Sequence, residues 1–170
     1  GYNWNQIVIG TIDPRADKLK VKWKPLPNTL RATEAAWHPT EPKLAFSRYG
    51  DGTHNLWLID TNGENATQLT EFEDGTQIQS LHWSPDGESL ILALFRNFKQ
   101  DIWQFYPGSR RWERLTDSDV DELDPVVQPD GSIWFSSDLG GIYNVYSLHP
   151  DTGEVKQQTN VLGSTYAPDV

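Results

Sequence analysis

The sequence predicts an all-β fold, a β-propeller of four-stranded antiparallel blades, and two observations support this prediction. A turn motif recurs around Pro39, Pro85 and Pro129, at intervals of 46 and 44 residues. Four short strand-like segments fill each interval, and no helical periodicity separates them. A repeat of this length with four strands is typical of propeller blades.

The recurring turn has its most complete form at Ser84-Pro85-Asp86-Gly87, directly after Trp83. Proline presets φ, aspartate bonds its own backbone, and glycine adopts the positive φ that closes the turn. The third unit repeats the motif as Gln128-Pro129-Asp130-Gly131, whereas the first has Thr40-Glu41 where the others have Asp-Gly. The motif therefore predicts a tight connection between the first and second strands of a unit.

Each unit contains the same predicted succession of strands. They are Glu34–Trp37, Lys43–Ser47, Asn55–Asp60 and Thr67–Thr70, then Gln79–Trp83, Ser89–Phe95, Asp101–Tyr106 and Arg111–Thr116, then Asp124–Gln128, Ser132–Ser136, Tyr143–His149 and Val155–Thr159. Equivalent residues keep their spacing, since Thr70, Thr116 and Thr159 all end fourth strands. A β-sandwich also has short strands, but the phased repeat favours the propeller. Because a single blade cannot bury both its faces, neighbouring blades stack, which contributes about 25 cal/mol per Å² of apolar area.

We predict one propeller domain, divided at regular intervals. It comprises a partial blade over 1–30, full blades over 31–76, 77–120 and 121–162, and the first strand of a further blade over 163–170. In the partial blade, Asn5–Asp13 and Leu19–Lys24 alternate like the last two strands of a blade. The chain contains no methionine, so we expect an internal piece of a longer protein. Its open edges favour either closure as a small ring or pairing with a second copy.

Composition argues against several classes of function. The net charge of −10 opposes phosphate binding, so we expect no nucleic-acid partner. No apolar run approaches 18 residues, so we expect no membrane insertion by this chain. The sequence has no cysteine, no Gly-x-Ser-x-Gly elbow and no phosphate-binding glycine loop. We therefore predict no catalytic residue, no cofactor and no enzymatic activity. The four histidines do not form a zinc pattern, and we interpret His38 and His82 as structural.

One face of a propeller collects the loops between second and third strands and the loops that lead into the next blade. We call this the channel face. Binding residues usually lie on loops that a rigid scaffold presents, and exposed aromatic residues beside arginine are typical interface anchors. The predicted partner-binding residues on this face are Arg48, Tyr49, His54, Arg96, Phe98, Lys99, Asp138 and Tyr166.

The acidic loop 117–124 is a weaker candidate for a binding site. Asp117, Asp119 and Asp121 alternate along it, and Ca²⁺ requires six to eight oxygen ligands. The loop lacks the glycine and the terminal glutamate of an EF-hand. The alternative is a solvated loop between blades, and we predict no metal on that interpretation.

The motif residues also carry a resemblance to a known family. Trp83-Ser84-Pro85-Asp86-Gly87 and Val127-Gln128-Pro129-Asp130-Gly131 resemble the repeats of TolB-like propellers, which are related to WD repeats, over residues 34–170. The third unit is the fullest version and ends at Gln158-Thr159-Asn160. This resemblance implies a propeller fold and, for the envelope members of the family, binding of other proteins.

The resemblance leads to a functional hypothesis with alternatives. We expect a non-catalytic propeller that binds protein or peptide, in the periplasm or cell envelope of a bacterium. The cysteine-free composition fits the cytoplasm equally well. One alternative is the gating propeller of a prolyl-oligopeptidase-like serine peptidase whose catalytic domain lies outside this piece. Another is a propeller that senses a sugar or peptide ligand in its channel.

Overall fold

The computed structural model describes residues 5–13, 15 and 21–168, and every regular element in them is a β-strand. The strands are β1 (Val8–Ile12), β2 (Val21–Pro25), β3 (Ala32–Trp37), β4 (Lys43–Gly50), β5 (Thr53–Asp60), β6 (Thr67–Gln68), β7 (Gln77–Trp83), β8 (Leu90–Arg96), β9 (Lys99–Tyr106), β10 (Arg111–Arg114), β11 (Glu122–Val127), β12 (Ile133–Ser137), β13 (Asn144–His149) and β14 (Glu154–Gln157). Of the segments predicted above, residues 1–4, 14 and 16–20 of the partial blade and residues 169–170 of the last strand lie outside the described residues.

The strands form three four-stranded antiparallel sheets and one two-stranded ribbon. The sheets have the orders β3-β4-β5-β6, β7-β8-β9-β10 and β11-β12-β13-β14, and the ribbon is β1-β2. We call the sheets the first, second and third blade. The first strand of the second blade contacts the first strands of both other blades, so these strands line the axis. The all-β propeller predicted from the sequence is confirmed, while the exact blade boundaries stay a prediction.

Apolar side chains between the blades hold them together. Leu90, Leu92 and Phe105 of the second blade pack against Ala45 and Leu56 of the first. The opposite face of the second blade presents Ile91, Ala93 and Ile102 to the third blade. Successive side chains of β8 therefore pack into two different cores, because successive side chains of a strand point to opposite faces. The ribbon covers the outer face of the first blade in the same way, with Ile7 and Ile9.

The recurring turn has the geometry that its residues predict. In the second blade, the Gly87 N–H donates to Ser84 O (2.9 Å), and the Asp86 carboxylate accepts from the Ser84 hydroxyl (2.6 Å) and the Glu88 N–H (2.9 Å). Gly87 has a φ of 76°. The turn also joins two blades, because His38 of the first blade lies 3.2 Å from Gly87 O through its Nε2.

A repeated threonine closes the outer half of each blade. The hydroxyl oxygens of Thr70, Thr116 and Thr159 accept hydrogen bonds, each of 2.9 Å, from the backbone N–H groups of Leu56, Ile102 and Val145. In the first and third blades the same hydroxyls donate to Asn55 (2.9 Å) and Asn144 (3.0 Å). Each asparagine also accepts from the backbone of the following loop, at Phe72 N and Val161 N. These bonds fix the start of the loops that reach the channel face.

The end of the described chain lies against the third blade, and whether it begins a further blade stays a prediction. Residues 163–168, expected to begin a further blade, form no strand in the described part of the chain. The segment instead follows the third blade, where Thr165 N–H donates to Tyr143 O and Ala167 N–H donates to the Ser136 hydroxyl, both at 3.0 Å.

Candidate protein-binding face

Several contacts join loops of the channel face to one another. The Gln77 amide donates to Gly52 O (3.0 Å), which ties the β4–β5 turn to the loop before β7. Arg96, at the end of β8, forms an ion pair of 2.5 Å with Asp74 of that same loop. At the third blade, the ring of Tyr143 packs 4.7 Å from the ring of Tyr166. These contacts join loops of the first and second blades and, separately, loops of the third blade, while the binding role of the face stays a prediction.

Phe98 is an almost fully exposed aromatic residue of this face. It occupies the two-residue turn between β8 and β9, and its side chain is 97% exposed. Asn97 and Phe98 both have positive φ, at 55° and 62°. Turns of this kind favour Asn-Gly, because a bulky side chain is strained at positive φ. Strain of this kind concentrates at functional sites, so an exposed phenylalanine here is the kind of residue that anchors a partner.

Beside Phe98, the charged side chains form ion pairs with one another. Lys99 lies 3.2 Å from the carboxylate of Asp101 and 3.5 Å from that of Asp117. Arg114 binds the same two carboxylates, at 2.8 and 2.7 Å. Asp101 is buried and stands where the first and third blades have asparagine. This network makes the second blade rigid below the Phe98 turn.

Three more predicted binding residues make contacts within the protein. Arg48 stacks 4.3 Å from the ring centre of Trp57 and donates to Asn28 O. The Nδ1 of His54 lies 3.2 Å from the N–H of Ile78, which joins the first blade to the second. Arg96 is held by Asp74, as described above. These residues therefore lie at or near the channel face, and their main contacts hold its loops and neighbouring blades together.

Tyr49, Asp138 and Tyr166 remain accessible. Tyr49 packs edge-on against His54, at 5.5 Å between ring centres, yet its side chain is exposed. Asp138 lines a cleft of about 420 Å³ together with Phe98, Lys99, Asp119, Val120 and Asp121. Sequence reasoning missed the exposed Leu139, Ile142 and Leu162. Their position in loops of the third blade was a usable signal, since an apolar loop residue at a blade end has no neighbouring strand to cover it.

The acidic loop does not gather its carboxylates as a metal site. No group of three or more His, Cys, Asp or Glu side chains in the described part of the chain is placed to hold a metal ion. Asp117 faces Arg114 and Lys99, whereas Asp121 accepts the backbone N–H of Gln100 at 2.9 Å. These contacts tie the loop to β9. No helix in the described residues is long and apolar enough to cross a bilayer.

A second set of polar side chains lies on the propeller axis, around which the first strands of the blades are arranged. Each first strand has a bulge, and Glu34, Ser80 and Asp124 occupy equivalent positions within these bulges. The Ser80 hydroxyl donates to Asp124 at 3.3 Å. Burial, and in addition the neighbouring negative charge of Asp124, raises the pKa of Glu34. Bulges redirect side chains, which here aims polar groups of three blades into the channel.

Glu122, close to the channel face, makes a pH-dependent contribution to the stability of the folded protein. It accepts hydrogen bonds from the Thr116 hydroxyl (3.1 Å) and from the Ser118 hydroxyl, in place of the asparagine of the other blades. Burial raises the pKa of Glu122, and the two hydroxyls offset part of this effect. The folded state therefore holds the proton more tightly than the unfolded chain does. Its stabilising contribution is complete below the unfolded pKa of about 4.3 and is lost as the pH rises through the folded pKa.

We expect Glu122→Gln to remove this dependence. Thermal unfolding of wild type and variant from pH 4 to pH 8 would measure it, because other titrating groups cancel in the difference. The variant should gain stability relative to wild type as the pH rises above about 4.3. Parallel curves would show that Glu122 titrates alike in the folded and unfolded states.

Comparison with known proteins decides the family. The family model described as the TolB beta propeller domain matches residues 34–170. The chain belongs to the TolB β-propeller family. The Tol-Pal system protein TolB of Anaeromyxobacter dehalogenans strain 2CP-C is 24% identical over 119 residues, which cover 69% of this chain and 27% of that protein. The chain thus spans about a quarter of the length of this relative, and the resemblance identified from the sequence is confirmed.

Solved structures support the same fold. The crystal structure of TolB from Acinetobacter baumannii superposes with a TM-score of 0.71 at 22% identity, covering 94% of this TolB-family chain and 43% of the other. Puromycin hydrolase superposes almost as well, with a TM-score of 0.70 at 14% identity, covering 85% of this chain and 25% of the enzyme. Identities this low show the fold alone, because one fold carries many functions.

Proposed function

We propose that this chain is a non-catalytic binding domain that recognises a protein or peptide through its channel face, in the periplasm or cell envelope of a bacterium. The observation that carries this proposal is a set of exposed apolar and aromatic side chains in the loops of the channel face, which are Tyr49, Phe98, Leu139, Ile142, Leu162 and Tyr166. A rigid scaffold presents these residues, since the salt-bridge network and the threonine bonds fix the loops beneath them. Exposed aromatic residues on such a scaffold are typical of protein interfaces.

The family supports the location and the type of partner. TolB relatives carry the name of the Tol-Pal system, which pairs them by name with a second protein, Pal. The predicted contact residues are Tyr49, Phe98, Asp138 and Tyr166, with Arg48, His54, Arg96 and Lys99 supporting them.

The second candidate function is the gating propeller of a serine peptidase. The likeness to puromycin hydrolase favours it, because the propeller part of that enzyme matches as well as TolB does. The sequence beyond Val170 in a longer form of the protein distinguishes the two. A Gly-x-Ser-x-Gly elbow followed by aspartate and histidine indicates the peptidase, whereas further propeller repeats indicate the envelope protein.

Substitution of Phe98 tests the channel-face proposal. Purified Pal from Anaeromyxobacter dehalogenans is the probe, titrated against the 170-residue chain by calorimetry. We expect Phe98→Ser to weaken binding by about thirtyfold, the loss of about 2 kcal/mol that an anchor residue contributes. Val155→Ser, on the outer strand β14, is the control and should bind like wild type. Equal binding by both variants, or no binding by wild type, would contradict the proposal.

A further inference from the structure

The two joints between complete blades are filled differently at the end opposite the channel face. At the first joint, between the first and second blades, the ring of His38 packs 4.6 Å from that of Trp83, and its Nε2 lies 3.2 Å from Gly87 O. At the second joint, between the second and third blades, Ser84 and Val127 occupy the equivalent positions. These side chains are smaller, so the second joint lacks the aromatic pair that fills the first.

The glycines of the recurring turn show the same difference in available space. A Cβ on Gly87, at the first joint, would lie 2.5 Å from His38 Cε1. A Cβ on Gly131, the equivalent residue at the second joint, would meet nothing within 4 Å. The second joint contains a cleft of about 560 Å³, and both of its walls belong to complete blades.

This cleft combines an apolar interior with an acidic rim. Ile91 and Ile133, which are 2% and 1% exposed, line the interior. Five exposed carboxylates line the rim, which belong to Asp86, Glu88, Glu113, Asp130 and Asp151. Arg111 neutralises Glu113 at 2.8 Å. No lysine, arginine or histidine of the described residues lies within ion-pair distance of the other four.

The first joint indicates which side chain suits such a cleft. A cleft of about 500 Å³ lies there as well, and Lys43 lines it with its ammonium 2.5 Å from the Glu41 carboxylate. In the second blade, Ser89 occupies the position of Lys43. The second cleft therefore has the carboxylates but lacks the lysine that the chain itself supplies at the first.

We propose that the cleft between the second and third blades binds a lysine side chain of a partner peptide. The four-carbon stem of lysine would cover Ile91 and Ile133, and its ammonium would reach the unpaired carboxylates, among them Glu88 and Asp151. Lysine commonly buries its stem on apolar surface while its charged end stays among polar groups. This inference does not rest on the channel face, because the turns that form the cleft lie at the opposite end of the blades.

Fluorescence anisotropy with the 170-residue chain tests the proposal, and the probe is a labelled, capped hexapeptide of alternating lysine and serine. We expect saturable binding by the wild type at low ionic strength, where exposed charges are least screened. A matched peptide with diaminobutyrate in place of lysine keeps the charges and shortens each stem by two methylene groups. It should bind about tenfold more weakly, because less apolar stem enters the cleft.

Variants of the chain locate the site. Glu88→Gln combined with Asp151→Asn should lower the affinity about tenfold, because charge-assisted hydrogen bonds to the ammonium are lost. Glu71→Gln combined with Glu73→Gln changes the net charge equally in the loop after β6, and this control should bind like wild type. Val127→Trp introduces the residue of the first joint, so it should weaken binding at unchanged charge. Thermal melting establishes that each variant is folded.

Three results would overturn the proposal. Equal losses in the two double variants would mean that the peptide responds only to the net charge of −10. Equal affinity for the two peptides would mean that the apolar interior takes no part, and a wild type that does not bind would contradict the proposal outright. Phe98→Ser should bind the lysine peptide like wild type, whatever its effect on the channel face.

Discussion

Phe105→Ala is expected to lower the free energy of unfolding by about 3–5 kcal/mol, which is the usual effect of truncating a fully buried phenylalanine. Phe105 lies between the first and second blades, with its ring centre 4.5 Å from that of Trp112. Its loss leaves a cavity that the blades cannot close, since β9 is fixed on both sides by ladder bonds. Urea unfolding followed by tryptophan fluorescence measures the change.

Phe98→Ala is the control for this experiment, because it removes the same ring from a side chain in solvent. We expect it to change the free energy of unfolding by less than about 0.5 kcal/mol, as for surface substitutions in general. Equal effects of the two substitutions would mean that Phe105 does not lie in an interblade core.

Gly87→Ala is expected to lower the free energy of unfolding by about 2–4 kcal/mol through two separate effects. The φ of 76° at Gly87 is unfavourable for any residue with a Cβ. That Cβ would also lie 2.5 Å from His38 Cε1, in the contact that joins the first blade to the second. His38 also packs edge-on against Trp83, with ring centres 4.6 Å apart, so displacing it disturbs the joint further.

Gly131 provides a matched control, because it occupies the same turn in the third blade. Its φ is 85°, and a Cβ there would meet nothing within 4 Å. Gly131→Ala should therefore cost only the backbone strain, about 1 kcal/mol. The difference between the two variants, measured by urea unfolding, isolates the interblade contact. If both variants lost the same stability, the joint at His38 would not contribute to folding.

Much of the fold was predictable because its signals are local. The Pro-Asp-Gly turns and the threonines that lie two residues beyond the fourth strands form their key bonds within one blade, over a few residues of sequence or one hairpin. The regular spacing of these turns and threonines along the sequence then determines how the blades stack, since side-by-side stacking of the repeats brings equivalent residues into register. Loop positions on the channel face followed from the same phase.

The state of the candidate site was less predictable because it depends on which side chains meet across neighbouring strands and loops. Arg96 and Arg48 resemble free interface residues in sequence, but Asp74 and Trp57 hold them. Asp117 resembles a metal ligand, but Arg114 and Lys99 face it. These pairings depend on how strands and loops are placed in the folded blade, which the sequence pattern does not specify. Exposure of Leu139 and Leu162 likewise depends on whether a neighbour covers them.

The side-by-side stacking of blades around an axis is the central claim, and a thiol cross-link tests it most directly. The chain has no cysteine, so Ser80→Cys combined with Asp124→Cys introduces a single pair. The two side chains lie 3.3 Å apart on the first strands of neighbouring blades. Mild oxidation, or a short bifunctional thiol reagent, should link them in the folded protein, and a Ser80→Cys, Ser147→Cys pair should stay unlinked. A folded double variant whose thiols at 80 and 124 never link would contradict the propeller arrangement.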